Sequence, residues 1–315
     1  MKILVVGGAG YIGGAVTDLL KLAKHEFRVY DNLMYEDTYR KKCTFIKGDI
    51  REHEKLKKQL DWADKVIWLA AIVGDGACQI NPAISKEVNE KPVKWLVDNF
   101  NGRILFTSTC SVYGASEELL DESSSTNPLS VYAATKLKAE EYLKNKDAII
   151  FRLGTVYGVS DTYSRIRFDL VLNIMAMRAF KDSKLTVFGG DQFRPLVHVK
   201  DVARAMVHSL VNGTRSGIYN LSNRNIKISD LAFIVSNHFE NVTVETTEMM
   251  FEDSRNYKVT SEKFFKEFGF TYRYSINDGI QDIESLLSEG RLNNIEDIRY
   301  SNQAFLEENK EKINV

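Results

Sequence analysis

A glycine-rich turn directly after an apolar run near the N-terminus places the strongest constraint on this chain. Ile3–Val6 is apolar, and the turn reads Gly-x-Gly-x-x-Gly from Gly8 and Gly-x-x-Gly-x-x-Gly from Gly7. Such glycines permit a tight strand-to-helix turn and a close backbone approach to a pyrophosphate, which the free N–H groups of the helix then bind. A purely structural turn is the alternative, but the position between strand and helix favours dinucleotide binding. The predicted contact residues are Gly7, Gly10, Tyr11, Ile12 and Gly13.

The residues after the next two apolar runs indicate which dinucleotide binds. Asp31 follows the run Phe27–Tyr30, where its carboxylate can accept hydrogen bonds from ribose hydroxyls and repels a 2′-phosphate. Asn32 follows, so no arginine is in place for such a phosphate. Asp49 and Ile50 come after a third run; Asp49 flanks the adenine or caps a helix, and the sequence leaves both open. The sequence predicts NAD rather than NADP, bound by Asp31, Asn32, Asp49 and Ile50.

Short apolar runs alternate with helical patterns over the first half of the chain. The predicted strands are Ile3–Val6, Phe27–Tyr30, Thr44–Lys47, Val66–Leu69, Ile104–Phe106 and Ile149–Leu153. This alternation is typical of a Rossmann-type α/β fold with a doubly wound parallel sheet. We expect an NAD-binding domain at 1–155, with returning segments near 195–225, and a smaller interleaved substrate lobe at 156–315.

Composition excludes several classes of partner. The chain has 315 residues and a formal net charge of -1, so no global field attracts nucleic acid or a membrane surface. Its three cysteines show no CxxC spacing, which favours reduced thiols and no metal site. Residues 3–6 lack the flanks of a signal peptide, and no apolar segment is long enough to span a membrane. We therefore expect a cytoplasmic protein.

A tyrosine and a lysine are candidates for proton transfer. Tyr132 and Lys136 lie four residues apart and so share one face of a predicted helix. A nearby lysine, together with a positive nicotinamide, lowers the pKa of a phenol from its usual ~10. Tyr142 and Lys146 have the same spacing, but Tyr142 falls late in the helix and is predicted to pack. Tyr132 instead follows a hydroxyl-rich strand end at residues 106–114, which favours the first pair.

These motifs together resemble those of the extended short-chain dehydrogenase/reductases of the nucleotide-sugar epimerase and dehydratase family, over nearly the whole chain. The matching positions are the glycine turn, Asp31, Asp49-Ile50, Leu69-Ala70-Ala71, Val88-Asn89, Thr109–Gly114, Tyr132 with Lys136, and Arg194–Asp201. The resemblance implies further NAD contacts at Leu69, Ala70, Ala71 and Asn89. It also implies that Tyr132 removes a proton from a sugar hydroxyl, that Lys136 holds the nicotinamide ribose, and that Thr109 hydrogen-bonds the reacting oxygen.

The two residues after Thr109 bear on the reaction. In the family's 4,6-dehydratases they are Asp and Glu, whereas here they are Cys110 and Ser111, which cannot replace carboxylates in an elimination. The proton-transferring cysteine of the 3,5-epimerase branch would fall at Ser111. A C4 epimerase and a C4 dehydrogenase remain open. A non-catalytic NAD sensor on the same fold is disfavoured because such proteins usually lack the tyrosine and lysine pair.

The resemblance also implies where a nucleotide sugar binds. Arg194, Asn173 and Arg255 match diphosphate-binding positions, although each arginine could instead be a surface residue. Many relatives carry Asn where this chain has Thr155, so those contacts are expected to pass to Asn173. The sugar is expected to border Val73, Gly74, Asp75, Cys110 and Ser111, although for Cys110 a buried small side chain is the favoured interpretation.

Two finer expectations rest on the resemblance alone. Residues 162–173 resemble a bacterial subgroup that makes unusual capsular sugars and includes enzymes oxidising GDP-D-glycero-α-D-manno-heptose at C4. This stretch slightly favours the dehydrogenase. Relatives pair through two helices per subunit, so helices near 86–100 and 131–145 are expected to form a homodimer through a four-helix interface.

Overall fold

The computed structural model describes residues 1–163, 165–212, 215–247 and 256–314. The strands are β1 Lys2–Val6, β2 Glu26–Asp31, β3 Thr44–Lys47, β4 Lys65–Trp68, β5 Arg103–Thr109, β6 Leu119–Leu120, β7 Ala148–Leu153, β8 Thr155–Tyr157, β9 Lys184–Phe188, β10 Phe193–His198, β11 Gly217–Leu221, β12 Arg224–Lys227, β13 Thr243–Thr247 and β14 Lys258–Val259. The helices are α1 Tyr11–Leu22, α2 His53–Leu60, α3 Asp75–Ile80, α4 Pro82–Asn89, α5 Lys91–Asn99, α6 Val131–Leu143, α7 Val171–Asp182, α8 Val199–Asn212, α9 Ile228–His238, α10 Glu262–Phe268, α11 Ile276–Ser288, α12 Asn302–Glu308 and α13 Glu311–Asn314. Within these ranges no helix is both long and apolar enough to cross a membrane.

Seven strands form the central sheet in the order β11-β7-β5-β4-β1-β2-β3. Every neighbouring pair is parallel. The predicted parallel α/β sheet is therefore confirmed. The carboxyl ends of β1, β4, β5 and β7 meet at one edge, where ligands of such sheets bind.

Alternate residues of each strand pack into separate cores on the two faces of the sheet. Leu4 and Val6 of β1 belong to a core that includes side chains of α2 to α6. Ile3 and Val5 belong to a second core with α1, α8 and α10. Helices thus cover both faces, as in a doubly wound fold. The helices predicted to pair two subunits correspond to α4 with α5 and to α6, and these pack against one another within the chain.

A smaller lobe is built largely from the second half of the chain. It contains a three-stranded sheet in the order β12-β10-β8 and a parallel pair of β13 with β9. Helices α7, α9 and α11 cover these strands and share a third apolar core. Between them, β11 returns to the central sheet beside β7, as the run Ile218–Leu221 predicts. The lobe is thus interleaved with the sheet, while the numbered division near residue 155 stays a prediction.

A buried polar cluster joins α6 to two strands of the central sheet. Glu140 on α6 accepts two hydrogen bonds from Arg152 of β7, at 3.1 Å from Nε and 2.7 Å from Nη2. It also accepts one at 2.5 Å from the hydroxyl of Ser108 on β5. Glu140 and Arg152 are both buried, and the guanidinium lies over the Tyr113 ring at 4.8 Å. This ion pair fixes the helix against the sheet.

We expect Glu140→Gln to destabilise the protein strongly, because it leaves the buried Arg152 charge without its carboxylate. The expected loss in the free energy of unfolding is about 3 kcal/mol, measured by urea denaturation. Glu141→Gln is the matched control: Glu141 is exposed and pairs with Lys138 on the surface, so its removal costs less than about 1 kcal/mol. Equal losses from the two variants would contradict the role given to the buried pair.

Candidate active site

Two cavities meet at the carboxyl edge of the central sheet. The first, here called the turn cavity, is lined by the glycine turn, residues 30–36, residues 48–50 and residues 69–71. The second, here called the large cavity, has a volume of about 700 Å³ and extends from β5 and α6 into the smaller lobe. Six residues line both cavities: Tyr11, Ile12, Leu69, Val73, Arg167 and Asn302. A ligand in one cavity can therefore contact a ligand in the other.

The glycine turn brings β1, α1 and the end of β4 together. Gly7 has φ +80°, and a Cβ there would lie 2.4 Å from the backbone nitrogen of Ala70. A Cβ at Gly13 would lie 2.5 Å from the carbonyl oxygen of Gly8. Helix α1 begins after Gly10 with no side chain capping its N-terminus. Its first N–H groups can thus bind an anion, which fits the diphosphate of a dinucleotide.

Asp31 lies at the far end of the turn cavity and is held by the backbone. Its carboxylate accepts hydrogen bonds from the N–H groups of Ala9 at 3.0 Å and Leu33 at 2.8 Å. Burial raises the pKa of Asp31, while these two hydrogen bonds oppose the rise. A carboxylate in this position retains lone pairs for ribose hydroxyls.

Asp49 was expected either to flank the adenine or to cap a helix. The N-cap residue of α2 is Glu52, so the cap is not its role. Asp49 instead pairs with Arg51 at 2.7 Å and accepts a hydrogen bond from Asn32 at 3.1 Å. Asn32, Asp49 and Ile50 all line the turn cavity, and contact with an adenine stays a prediction.

The three predicted catalytic residues lie on the wall of the large cavity. Thr109 ends β5, Tyr132 is in the first turn of α6, and Lys136 follows one turn later. The Lys136 ammonium donates to the carbonyl of Thr107 at 2.9 Å and lies 4.7 Å from the centre of the Phe106 ring. Burial lowers the pKa of Lys136 to about 8. The tyrosine, lysine and threonine therefore line one cavity, which Tyr11 and Ile12 also line.

The predicted sugar contacts Cys110 and Ser111 are not among the residues that line either cavity. After Thr109 the chain forms a 3-10 turn, Cys110–Tyr113, and the N–H of Ser111 donates to the Thr109 hydroxyl at 3.1 Å. This turn directs the Cys110 thiol to the carbonyl of Arg152 at 3.1 Å. Cys110 is fully buried in an apolar cluster, as the favoured interpretation of this residue predicts, and this burial raises its pKa.

Asn89 and Asn173 were also expected to contact ligands, but neither lines a cavity. The Asn89 side chain accepts a hydrogen bond from the N–H of Ile72 at 2.8 Å and donates one to the carbonyl of Ile72 at 3.0 Å. Asn89 therefore fixes the loop after β4. Asn173 accepts from the N–H of Gly158 at 2.8 Å and donates to the carbonyl of Arg167 at 2.8 Å. Both amides are buried and hold the loops that carry cavity residues.

The remaining substrate candidates border the large cavity, apart from one. Val73, Gly74 and Asp75 line it near α6, and Asp75 accepts a hydrogen bond from Ser130 at 2.6 Å. Arg194 lines it from β10 and is buried, with its guanidinium donating to the carbonyl of Phe193 at 2.9 Å. Arg255 lies outside the described residues.

Several cavity residues were missed by the sequence analysis: Arg165, Arg167, Asp169, Arg178, Gln192 and Asn302. The signal available in the sequence was Arg165 and Arg167 in a polar loop after β8, followed by Asp169. Nothing in the sequence places Asn302, near the C-terminus, beside a loop that begins at residue 158. That contact depends on the tertiary fold.

Comparison with known proteins gives the family. Residues 3–222 match the NAD dependent epimerase/dehydratase family. The UDP-glucose 4-epimerase of Streptomyces lividans is 29% identical over 255 residues, which cover 71% of this chain and 76% of the relative. The chain therefore belongs to the NAD dependent epimerase/dehydratase family and is an NAD-dependent enzyme.

Solved structures share the fold across different reactions. A UDP-glucose 4-epimerase from Thermus thermophilus, in complex with NAD, superposes with a TM-score of 0.78 at 24% identity, covering 90% of this chain and 98% of that one. DesIV, a dTDP-glucose 4,6-dehydratase from Streptomyces venezuelae, superposes with a TM-score of 0.80 at 24% identity, covering 93% and 99%. Fold alone therefore does not select the reaction.

We expect Gly13→Ala to weaken NAD binding by at least tenfold, because the added Cβ must push α1 away from the turn. Isothermal titration calorimetry with NAD measures the change. Gly290→Ala is the control: Gly290 has φ +64° and open space around its Cβ position, and it does not line the turn cavity. An NAD affinity lost equally in both variants, or in neither, would contradict this role of Gly13.

Proposed function

We propose that the enzyme oxidises a sugar carried on a nucleoside diphosphate at C4, without eliminating water. The observation that carries the proposal is that Thr109, Tyr132 and Lys136 line one cavity beside the glycine turn. No carboxylate occupies either position after Thr109. The large cavity has room for a sugar and a diphosphate, and its lining includes Arg167, Arg178 and Arg194.

The residues have distinct roles in this reaction. Tyr132 removes the proton from the C4 hydroxyl, and Thr109 donates a hydrogen bond to the same oxygen as it becomes a carbonyl. Lys136 is held by the Thr107 carbonyl, so its ammonium can bind the nicotinamide ribose and stabilise the ionised phenol. NAD, when bound, accepts the hydride from C4. The proton thus leaves the C4 hydroxyl oxygen for Tyr132, and the hydride would leave C4 itself as the C4–oxygen bond becomes a carbonyl.

The carboxylates of the large cavity argue further against elimination. Among the described residues, Asp75 and Asp169 are the acids that line it. Asp169 forms a bidentate pair with Arg167, at 2.5 and 2.9 Å, which keeps it ionised and engaged. Asp75 accepts from Ser130 at the first turn of α6. Neither replaces the acid and base that follow the catalytic threonine in 4,6-dehydratases.

The substrate proposed is GDP-D-glycero-α-D-manno-heptose, oxidised to its 4-keto form. The resemblance of residues 162–173 to enzymes of that class supports it, and Arg194 with Arg178 supplies donors for the diphosphate. A C4 epimerase is the second candidate, because the curated relative from Streptomyces lividans has that activity in its name. Both reactions share the first half of the chemistry.

A panel of nucleotide sugars, including GDP-linked heptose and UDP-glucose, tests the proposal. The purified enzyme is incubated with each compound and NAD, NADH absorbance is followed, and products are identified by mass spectrometry and NMR. A lasting absorbance rise with a 4-keto product supports the dehydrogenase. A new C4 epimer without net NADH supports the epimerase, and a product that has lost water contradicts oxidation without elimination.

We expect Tyr132→Phe to bind NAD with unchanged affinity and to lose at least a hundredfold in the rate of NADH formation, because the base is absent. Stopped-flow absorbance under single-turnover conditions measures the rate. Tyr142→Phe, on the same helix and also four residues before a lysine, is the matched control and keeps the wild-type rate. Unchanged turnover in Tyr132→Phe would support an NAD-sensing protein or another base.

A further inference from the structure

Two buried arginines lie where the turn cavity and the large cavity meet. Arg165 and Arg167 come from the loop between β8 and α7, in the smaller lobe, and are 5% and 8% exposed. Both line the turn cavity together with the glycine turn, and Arg167 also lines the large cavity. The roles proposed for the catalytic residues and for Arg194 make no use of either.

Arg165 is fixed by three contacts but not fully satisfied. Its guanidinium donates to the side chain of Asn302 and to the carbonyl of Arg299, the latter at 2.5 Å. It also stacks on Tyr35 at 3.9 Å from the ring centre. Within the described residues its buried Nε has no hydrogen-bond partner. A buried N–H of a charged group without a partner is costly and points to an acceptor that the protein itself does not supply.

Arg167 differs because a carboxylate compensates its charge. It forms the bidentate pair with Asp169, whose Oδ2 also accepts from the N–H of Asn302 at 2.8 Å. Arg165 has hydrogen bonds to an amide and a carbonyl, and the acids near it are Asp169, already paired with Arg167, and Glu36, half-buried at the same cavity. Burial and the charge of Arg167 lower the pKa of Arg165 to about 10. The pair of arginines therefore carries positive charge that an anion in the turn cavity would offset.

We propose that Arg165, supported by Arg167, forms the smaller-lobe half of the diphosphate site for NAD. The uncapped N-terminus of α1 is the other half, so the diphosphate is gripped by backbone N–H groups from one lobe and by guanidinium from the other. The Arg165 guanidinium, which lines the turn cavity, is the donor group assigned to this anion.

The diphosphate of a nucleotide sugar is the other possible source of the anion. Arg165 lines only the turn cavity, which also holds Asp31 and the glycine turn. The diphosphate donors Arg178 and Arg194 line only the large cavity. This separation assigns Arg165 to the cofactor rather than to the substrate.

The same contacts connect the cofactor site to the C-terminal segment. Asn302 begins α12, receives a hydrogen bond from Arg165, and donates from its side chain to the carbonyl of Val73 at 2.7 Å. Phe305, one turn later, packs in the core beneath the central sheet. A diphosphate bound to Arg165 is therefore enclosed by residues from both lobes and from the C-terminal segment, so release of NAD requires this junction to open.

Calorimetric titration of two adenosine ligands tests the proposal without any turnover. ADP-ribose carries the diphosphate, whereas adenosine lacks it. We expect Arg165→Met to weaken ADP-ribose binding by about tenfold to a hundredfold and to leave adenosine binding unchanged. Arg165→Lys keeps the charge but loses the planar guanidinium, so its affinity for ADP-ribose is expected to lie between those of Arg165→Met and the wild type. We also expect Arg165→Met to release NAD faster when bound cofactor is chased with excess ADP-ribose.

Arg103→Met is the matched control. Arg103 is a buried arginine paired with Asp147 at 2.7 Å, at the start of β5 and thus at the opposite edge of the sheet. It is expected to lower stability without changing ADP-ribose affinity. The proposal is overturned if Arg165→Met and Arg165→Lys bind ADP-ribose like the wild type, if they lose adenosine affinity equally, or if they weaken GDP or UDP binding instead. None of these outcomes depends on the enzyme's reaction, so failure here leaves the proposed oxidation standing.

Discussion

The active site depends on the buried ion pair between Glu140 and Arg152. Glu140 lies one helical turn after Lys136 on α6, and Arg152 lies on β7, beside β5 in the sheet. With Ser108 also bonded to Glu140, one carboxylate positions a helix against two strands. A charged pair removed from water tolerates little change in geometry, because any separation leaves charge unpaired in an apolar surrounding. The positions of Tyr132 and Lys136 relative to Thr109 follow from it.

This cluster also explains why Cys110, directly after Thr109, lines neither cavity. The carbonyl of Arg152 receives the Cys110 thiol, so the strand that holds the guanidinium also holds the cysteine in the core. The sequence favours a buried Cys110 but leaves a substrate contact open, because its place in a motif carries no information about which way a 3-10 turn directs the side chain. Arg152, a charged residue within the apolar run Ile149–Leu153, is the local sequence sign of this buried ion pair.

Features set by local pattern were predictable, and features set by distant contacts were not. The strand alternation and the glycine turn are local, and the predicted parallel sheet and the return of β11 were confirmed. Asn89 and Asn173 were expected from the resemblance to contact ligands, yet their amides bond loop backbone and line neither of the two cavities. Arg165 meets Asn302 across 137 residues of chain. No periodicity or spacing in the sequence encodes that meeting.

Enclosure of the cofactor by two lobes bears on the choice between the two reactions. An epimerase returns the hydride to the sugar, so the cofactor never needs to leave, and a slow exit carries no penalty. A dehydrogenase releases the ketone and keeps NADH, which must then exchange or transfer its hydride to an oxidant entering the large cavity. Tyr132 and the arginines line the large cavity and stay there after the first product leaves. A small anionic carbonyl compound such as a 2-oxo acid can therefore occupy it. Where this grip makes cofactor exchange slower than turnover, a dehydrogenase on this scaffold cycles faster if its NADH is reoxidised in place.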